Sequence, residues 1–401
     1  MEKEAGLLTD YQLQYKVSPN LLNCYKRYPV NPVRGEGAYL YDDEGRKYLD
    51  FISGIAVTPF GHQHPEIKEA VNKQLNELWH VSSLFHSTLQ EDLAQKLISV
   101  TKLDKAFFCN SGTETTEAAI KFARKWGNGR SNIISTLGSF HGRTMGSLSA
   151  SGQYKIWEGF QPMTPGFSYV PYNDINAIEY SITSDTVAVI VEPIQGESGI
   201  NVPDENYLSE LRQVCDHNNL LLIFDEVQTG LGRTGKIFAY QWENIKPDII
   251  TIAKGIANGL PLGAVVCSEK VSTSITPGAH GSTFGGNFIA VSAALKVMDL
   301  LTEELLDHVQ NMGKHLTESI RSLGISSINE IRGKGLMIGI EFDKTVNTKD
   351  IALRLLNHGV IVGTAGDNVL RLLPPFIITE NEIDIFNEIF YSTIKENVGS
   401  Y

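Results

Sequence analysis

The sequence predicts an α/β fold, with a large domain on a mostly parallel sheet covered by helices and a smaller C-terminal α+β domain. Three observations carry this expectation. From about residue 105, short apolar runs alternate with helical stretches, the pattern of strands joined in parallel by helical crossovers. The chain has 401 residues, more than one hydrophobic core usually supports. A long helical pattern from about Ala290 to Leu323 then leads into glycine-punctuated IRGKGLMIGIEF, VLRLLPPFIIT and a final helix. The expected division is an arm and hairpin over 1–50 packing on the small domain, a large domain over 51–290 and a small domain over 291–401.

Residues 1–35 are polar and aromatic without clear period, ending in Pro29, Pro32 and the turn Gly35–Gly37, and read as an arm. AYLYD and KYLDF bracket Asp43-Glu44-Gly45 as a short hairpin. Glu66 to Leu78 reads as an amphipathic helix started by Pro65, with Ile67, Val71, Leu75 and Leu78 on one face. The predicted strands are Ala106–Cys109, Asn132–Ser135, Val187–Val191, Leu220–Phe224, Ile249–Ile252 and Ala264–Cys267, with helices such as Thr113–Trp126 and Tyr207–His217 between several of them. IRGKGLMIGIEF reads as one strand.

Hydrophobic residues make up 42%, enough for complete folding, and 34 Lys+Arg against 46 Asp+Glu give a net charge of −12. That charge argues against an electrostatic grip on nucleic acid or an anionic membrane. Cys24, Cys109, Cys215 and Cys267 are scattered without CxxC spacing, so neither a zinc site nor a disulfide framework is expected. The start lacks an apolar signal core and no run reaches membrane-span length. A cytoplasmic protein is expected.

Two apolar runs end in charge: Leu220–Phe224 runs into Asp225, and Ile249–Ala253 into Lys254. Strand tips of open α/β sheets are where ligand chemistry collects. An amine and an acid placed there suit pyridoxal phosphate, since the lysine can hold the aldehyde as a Schiff base and the carboxylate can keep the pyridine nitrogen protonated. Asn110-Ser111-Gly112-Thr113-Glu114 follows a strand and opens a helix, so it reads either as an N-cap or as a phosphate site on helix-terminal amides. In Ser139-Phe140-His141-Gly142-Arg143, Phe140 can stack on a planar ring and Arg143 can clamp a carboxylate. The acids of Glu192-Pro193-Ile194-Gln195-Gly196-Glu197 are catalytic, arginine-paired or merely solvated, and the motif alone does not say which. Gly281-Ser282-Thr283-Phe284-Gly285-Gly286-Asn287 suits a phosphate, a carboxylate or a plain loop.

GLGRTG at Gly230–Gly235 matches GxGxxG literally and supports a rival, a nicotinamide oxidoreductase. Its context is wrong, because DEVQT separates it from the strand and no ribose-binding acid follows about 20 residues on. A binding or scaffold protein is the third class. His62 and His64 in GHQHP lack a third metal ligand and read as structural.

In this order NSGTE, FHGR, EPIQGE, FDEVQTGLGRTG, AKG and GSTFGGN resemble the class III pyridoxal phosphate aminotransferases, from roughly Tyr25 to Pro375. SGIAV at Ser53–Val57, with FHGR and GSTFGGN, is most similar to the acetylornithine branch. The resemblance implies fold type I and a homodimer with shared active sites. It implies that Ser111, Gly112 and Thr113 bind the cofactor phosphate, Phe140 stacks on the ring, Asp225 pairs with its nitrogen and Gln228 touches its phenolic oxygen. Lys254 becomes the attachment lysine and proton shuttle, and Thr283 reaches the phosphate of the neighbouring subunit. Arg143 and Ser282 would hold the carboxylate and acyl end of the amino donor, Arg371 the carboxylate of glutamate, and Glu197 would gate Arg371. The implied reaction moves the terminal amine of N2-acetyl-L-ornithine to 2-oxoglutarate, a step of arginine biosynthesis. Ornithine, succinylornithine, acetyl-lysine and 4-aminobutyrate are the alternative donors. Ile55 stands where ornithine aminotransferases typically have tyrosine, which favours an acylated donor, whereas Tyr25 matches another of their tyrosines.

Overall fold

The computed structural model describes residues 17–398. The start of the expected arm, residues 1–16, lies outside them. Strands β1 (Pro32–Glu36), β2 (Tyr39–Asp42) and β3 (Lys47–Asp50) form an antiparallel ribbon, so the expected hairpin is present. The central sheet has seven strands: β4 (Lys105–Cys109), β5 (Asn132–Thr136), β6 (Phe167–Val170), β7 (Thr186–Val191), β8 (Leu221–Asp225), β9 (Ile249–Ile252) and β10 (Gly263–Cys267), in the order β4-β10-β9-β8-β7-β5-β6. Only β10 runs against its neighbours.

Strands β7, β8 and β9 are buried along their whole length, which is why they read as continuous aliphatic runs rather than alternating ones. Their side chains still divide by face. Val189, Val191, Leu222, Phe224, Ile250 and Ile252 join a core with helices Tyr207–His217 and Phe288–Leu300. Ala188, Ile190, Leu221, Ile223 and Ile249 pack on the other side against Ala119, Ile120 and Ala123 of helix Gly112–Gly127. The sheet is thereby covered on both faces, and its strand tips are left for the site.

The C-terminal part adds β11 (Ile328–Lys334), β12 (Met337–Phe342), β13 (Val360–Ile361), β14 (Gly363–Ala365) and β15 (Val369–Leu372), with β11-β12-β15-β14 forming an antiparallel sheet. β13 pairs in parallel with β3, tying the N-terminal ribbon to this part. Several details differ from the sequence expectations; the helix expected over Glu66–Leu78 spans Pro65–Leu75, and Leu75 and Leu78 are exposed. The helical pattern after Ala290 is two helices, Phe288–Leu300 and Glu303–Ser322, because Thr302 caps the second through a hydrogen bond from the Leu305 amide (3.2 Å). IRGKGLMIGIEF folds into the β11–β12 hairpin, turning at Gly335 with φ +54°. Helix Thr88–Thr101 and strand β6 were not foreseen.

GLGRTG opens no helix: Gly230–Gly235 lie in turns and a bend. Arg233 is buried, donates to the carbonyls of Leu336 (3.0 Å) and Pro374 (2.5 Å), and stacks over Phe376 at 4.7 Å. Burial pushes its guanidinium down to about 9. The glycine run therefore latches the loop after β8 to the C-terminal part, and the dinucleotide reading fails on geometry. His62 donates or accepts at Asp50 (2.9 Å), and no cluster of metal-ligating side chains exists among the described residues. No helix among them is long and apolar enough to cross a membrane.

Candidate active site

The tips of β8 and β9 bring the acid and the amine together. Asp225 lies opposite Thr251 in the parallel register, and Lys254 follows three residues later in a short 3-10 turn. Asp225 is held from three sides: Oδ1 accepts from the Val227 amide (3.0 Å) and Thr251 Oγ1 (3.2 Å), and Oδ2 lies 2.7 Å from His141 Nδ1. With an ionised carboxylate, Nδ1–H of His141 is the donor. His141 is buried, and its Nε2 has no partner. Within FHGR the sequence singled out Phe140 and Arg143 but not His141, which fixes the Asp225 carboxylate.

Lys254 has φ +46°, a left-handed conformation costing a residue with Cβ about 1–2 kcal/mol. Its amine makes no hydrogen bond or ion pair among the described residues. Burial pushes the amine below its ordinary value; Glu197 and Asp225 oppose this, while Arg371 adds to it. An amine whose charged form is disfavoured and which has no partner among the described residues is disposed to act as a nucleophile.

At the start of helix Gly112–Gly127, Ser111 is the N-cap, accepting from the Glu114 amide (3.4 Å) and donating to Glu114 Oε2 (2.9 Å). The amides of Gly112 and Thr113, in the first turn, have no intrahelical acceptor and present a positive helix end to an anion. Capping and anion binding are thus compatible at this motif. Gly112 sits so close to Val227 that a Cβ would come within 2.8 Å of its Cγ1, with Ala253, the neighbour of Lys254, at 3.7 Å. The Thr113 hydroxyl is already engaged, meeting Thr144 Oγ1 (2.8 Å) and Ser147 Oγ (2.6 Å) and accepting from the Arg143 amide (3.2 Å). Thr144 and Ser147, which the sequence reading missed, join this end of the cleft to the Phe140 loop.

Buried Arg371, on β15, reaches half-buried Glu197 in an ion pair, Nη1 to Oε1 at 2.6 Å and Nη2 to Oε2 at 3.5 Å. Nη1 also meets Gly196 O (3.3 Å) and Gln228 Oε1 (3.5 Å), and Gln228 Nε2 meets Glu197 Oε1 (3.4 Å). Gly196 leaves no room for a Cβ, because Gln228 occupies that space. Burial works against the Glu197 charge, but Arg371 and then Lys254 overcome it and hold the carboxyl below its usual range. Arg371 Nε is buried without a partner.

Phe140 is fixed through its amide, which donates to Glu192 Oε1 (2.9 Å). Glu192 is buried and paired with no arginine; burial pushes it up to about 7, with His141 opposing. Arg143 is exposed, its guanidinium 5.6 Å from the Phe140 ring centre. Ser282 accepts from Asn110 Nδ2 (3.1 Å), so its loop touches the segment that opens helix Gly112–Gly127. Thr283 stands apart, exposed and without a hydrogen bond to the other candidates among the described residues. Ser53–Ala56 packs beside the Lys254 turn with four successive positive φ values, Ile55 at +66°, a genuine outlier for a β-branched side chain. Tyr25 is exposed beside Arg27.

The donor set fits pyridoxal phosphate: a free amine at Lys254, an anchored acid at Asp225 and open helix-terminal amides at Gly112 and Thr113. Comparison with known proteins agrees. The family profile described as Aminotransferase class-III matches residues 23–394. The acetylornithine aminotransferase of Aquifex aeolicus is 47% identical over 91% of this chain and 96% of its own. That of Methanocaldococcus jannaschii is 46% identical over 90% and 93%. Among solved structures, the ornithine aminotransferase of Toxoplasma gondii superposes with TM-score 0.92 at 31% identity, covering 95% of this chain and 94% of its own. The N-acetylornithine aminotransferase of Stenotrophomonas maltophilia gives 0.82 at 31% identity, covering 93% and 97%. Motifs, fold and site geometry converge: the chain belongs to the class-III aminotransferases, pyridoxal phosphate-dependent enzymes of fold type I.

Proposed function

We propose that this aminotransferase moves the terminal amine of N2-acetyl-L-ornithine to 2-oxoglutarate, giving N-acetyl-L-glutamate 5-semialdehyde and L-glutamate in arginine biosynthesis. The observation that carries the reading is the Glu197–Arg371 pair beside the unpartnered Lys254. When bound, pyridoxal phosphate supplies an aldehyde for the amine and an electron-accepting ring. Asp225, steadied by His141 and Thr251, holds a proton at the ring nitrogen, and Ser111, Gly112 and Thr113 seat the phosphate. Phe140 and Gln228 orient the ring. Lys254 moves the proton at the reacting carbon.

Glutamate carries a carboxylate beside its reacting amine, which Arg371 receives when Glu197 swings away. The terminal amine of acetylornithine has only methylenes there, and Glu197 then keeps Arg371 from being left as an unpaired buried charge, a cost of about 3–5 kcal/mol. Arg143 and Ser282 take the far carboxylate and acyl group. Apolar Ile55 gives a free α-amino group no partner, and the names of the sequence relatives support the acylated donor. Ornithine is the second reading, favoured by the Toxoplasma gondii structure.

A panel of amino donors with 2-oxoglutarate, ranked by kcat/KM in wild type and in Glu197→Ala, tests both substrate and gate. N2-acetylornithine should rank first in wild type, and the variant should shift preference toward the glutamate half-reaction by roughly 10–100-fold, a fraction of the cost of a broken buried pair. Ornithine outranking it, or an unmoved preference in the variant, overturns the corresponding part.

The same reading includes a cytoplasmic homodimer with an N-terminal arm (1–50), a cofactor-binding domain (51–290) and a small domain (291–401). Exposed Trp79, Leu84, Phe85 and Phe284 support a second copy, because Phe284 adjoins Ser282 and Thr283 and its ring lies 5.4 Å from His80. Such clustered apolar exposure marks an association surface, across which Thr283 would reach the partner's phosphate site. Sedimentation velocity of the holoenzyme should give a dimer; an active monomer overturns it.

A further inference from the structure

Glu192 is a buried acid near the site to which the chemistry above gives no task. It follows the last residue of β7, and its two oxygens part company: Oε1 accepts from the Phe140 amide (2.9 Å) and Oε2 from the Gly196 amide (3.0 Å). Phe140 belongs to the ring platform. Gly196 precedes Glu197, abuts Gln228 and accepts from Arg371 through its carbonyl (3.3 Å). The backbone of Glu192 is itself anchored, since Tyr172 donates to the carbonyls of Glu192 (3.2 Å) and Pro193 (2.9 Å). A carboxylate that bridges two loops and meets no cation is suited to fixing their spacing, because each amide needs an acceptor once buried.

Building on the gate reading above, we infer that Glu192 is a positioning residue that couples the two halves of the site, holding the Phe140 platform and the Glu197 gate in one register. It touches neither reacting atom. A glutamine side chain keeps the shape of Glu192 but has only one acceptor oxygen, so one of the two amides faces an N–H₂ group instead. Either the platform or the gate loop is then released.

The test compares Glu192→Gln, Glu197→Ala and the double variant as holoenzymes, measuring kcat/KM for the glutamate and N2-acetylornithine half-reactions and the retention of pyridoxal phosphate on dialysis. Glu192→Gln should move the ratio of the two half-reactions toward glutamate by about tenfold, the scale of coupling within one hydrogen-bond network. In the Glu197→Ala background the same change should leave that ratio unmoved while still loosening the cofactor. A single variant that lowers both half-reactions by one common factor, with the ratio and cofactor retention as in wild type, overturns the inference. If Glu197→Ala moves the ratio and Glu192→Gln does not, the coupling falls and the gate stands; if Glu197→Ala leaves the ratio unmoved, the gate falls and takes the coupling with it. Glu192→Asp keeps the charge but reaches one methylene less far, and is read on the same two measurements should the glutamine variant fail to accumulate.

Discussion

Replacing Lys254 with alanine is expected to lower kcat/KM by about 10⁴-fold or more, since on the function proposed above one group would supply both covalent attachment and proton transfer. The same change should leave the apo-protein at least as stable as wild type at neutral pH. The Lys254 amine lies in a buried setting that pushes it below its ordinary value of 10.5, so between the lowered value and 10.5 the unfolded chain binds more protons than the folded one. Stability contributed by this group therefore rises with pH through that window and is reduced below it. Alanine removes the cost and flattens the slope. Thermal melting of apo-proteins across pH 6–10, beside turnover, reads both effects. Retained turnover in the alanine variant would remove Lys254 from the chemistry; a melting temperature well below wild type would show that the amine supports the fold.

That an amine carries such a cost was legible in the sequence, because a buried strand ending in lysine is a local pattern. The same holds for Asp225, where an apolar run meets an acid. His141 and Glu192 were illegible as supports for a different reason. His141 meets Asp225 across 84 positions and Glu192 meets Phe140 across 52, and nothing within either motif encodes those distances. Resemblance to a family supplied the pairing of Glu197 with Arg371, 174 positions apart, which no spacing argument could have reached. GLGRTG shows the converse failure: its glycines match a dinucleotide fingerprint, yet the property that matters is Arg233 entering a carbonyl-lined site formed by Leu336 and Pro374. In the fold, β7 to β9 were read from their unbroken aliphatic character, whereas Phe167–Val170 carries only four residues with one fully buried and gives the sequence little to show.

Asp225→Asn is expected to cost roughly 10³-fold in kcat/KM, the scale seen when a fixed electrostatic partner of developing charge is removed. The wild-type carboxylate can act only as an acceptor, and its three protein donors, Val227 amide, Thr251 hydroxyl and His141 Nδ1, all point at it. An asparagine presents one oxygen and one N–H₂ in their place. If the oxygen faces His141, the amide group confronts the Val227 N–H; if it is flipped, the N–H₂ confronts His141 Nδ1 and drives the ring toward the other tautomer. With Nε2 already buried and unpartnered, neither arrangement satisfies every donor, and each unsatisfied buried group costs about 1–3 kcal/mol. The charge that would hold a proton on the cofactor ring is lost as well. Binding of pyridoxal phosphate to the apo-protein separates these effects from simple unfolding: the variant should still take up the cofactor at Lys254 while turning over slowly. Turnover within about tenfold of wild type would mean that the ring proton is held by another group, and His141, the buried donor nearest this acid, would be the next to replace.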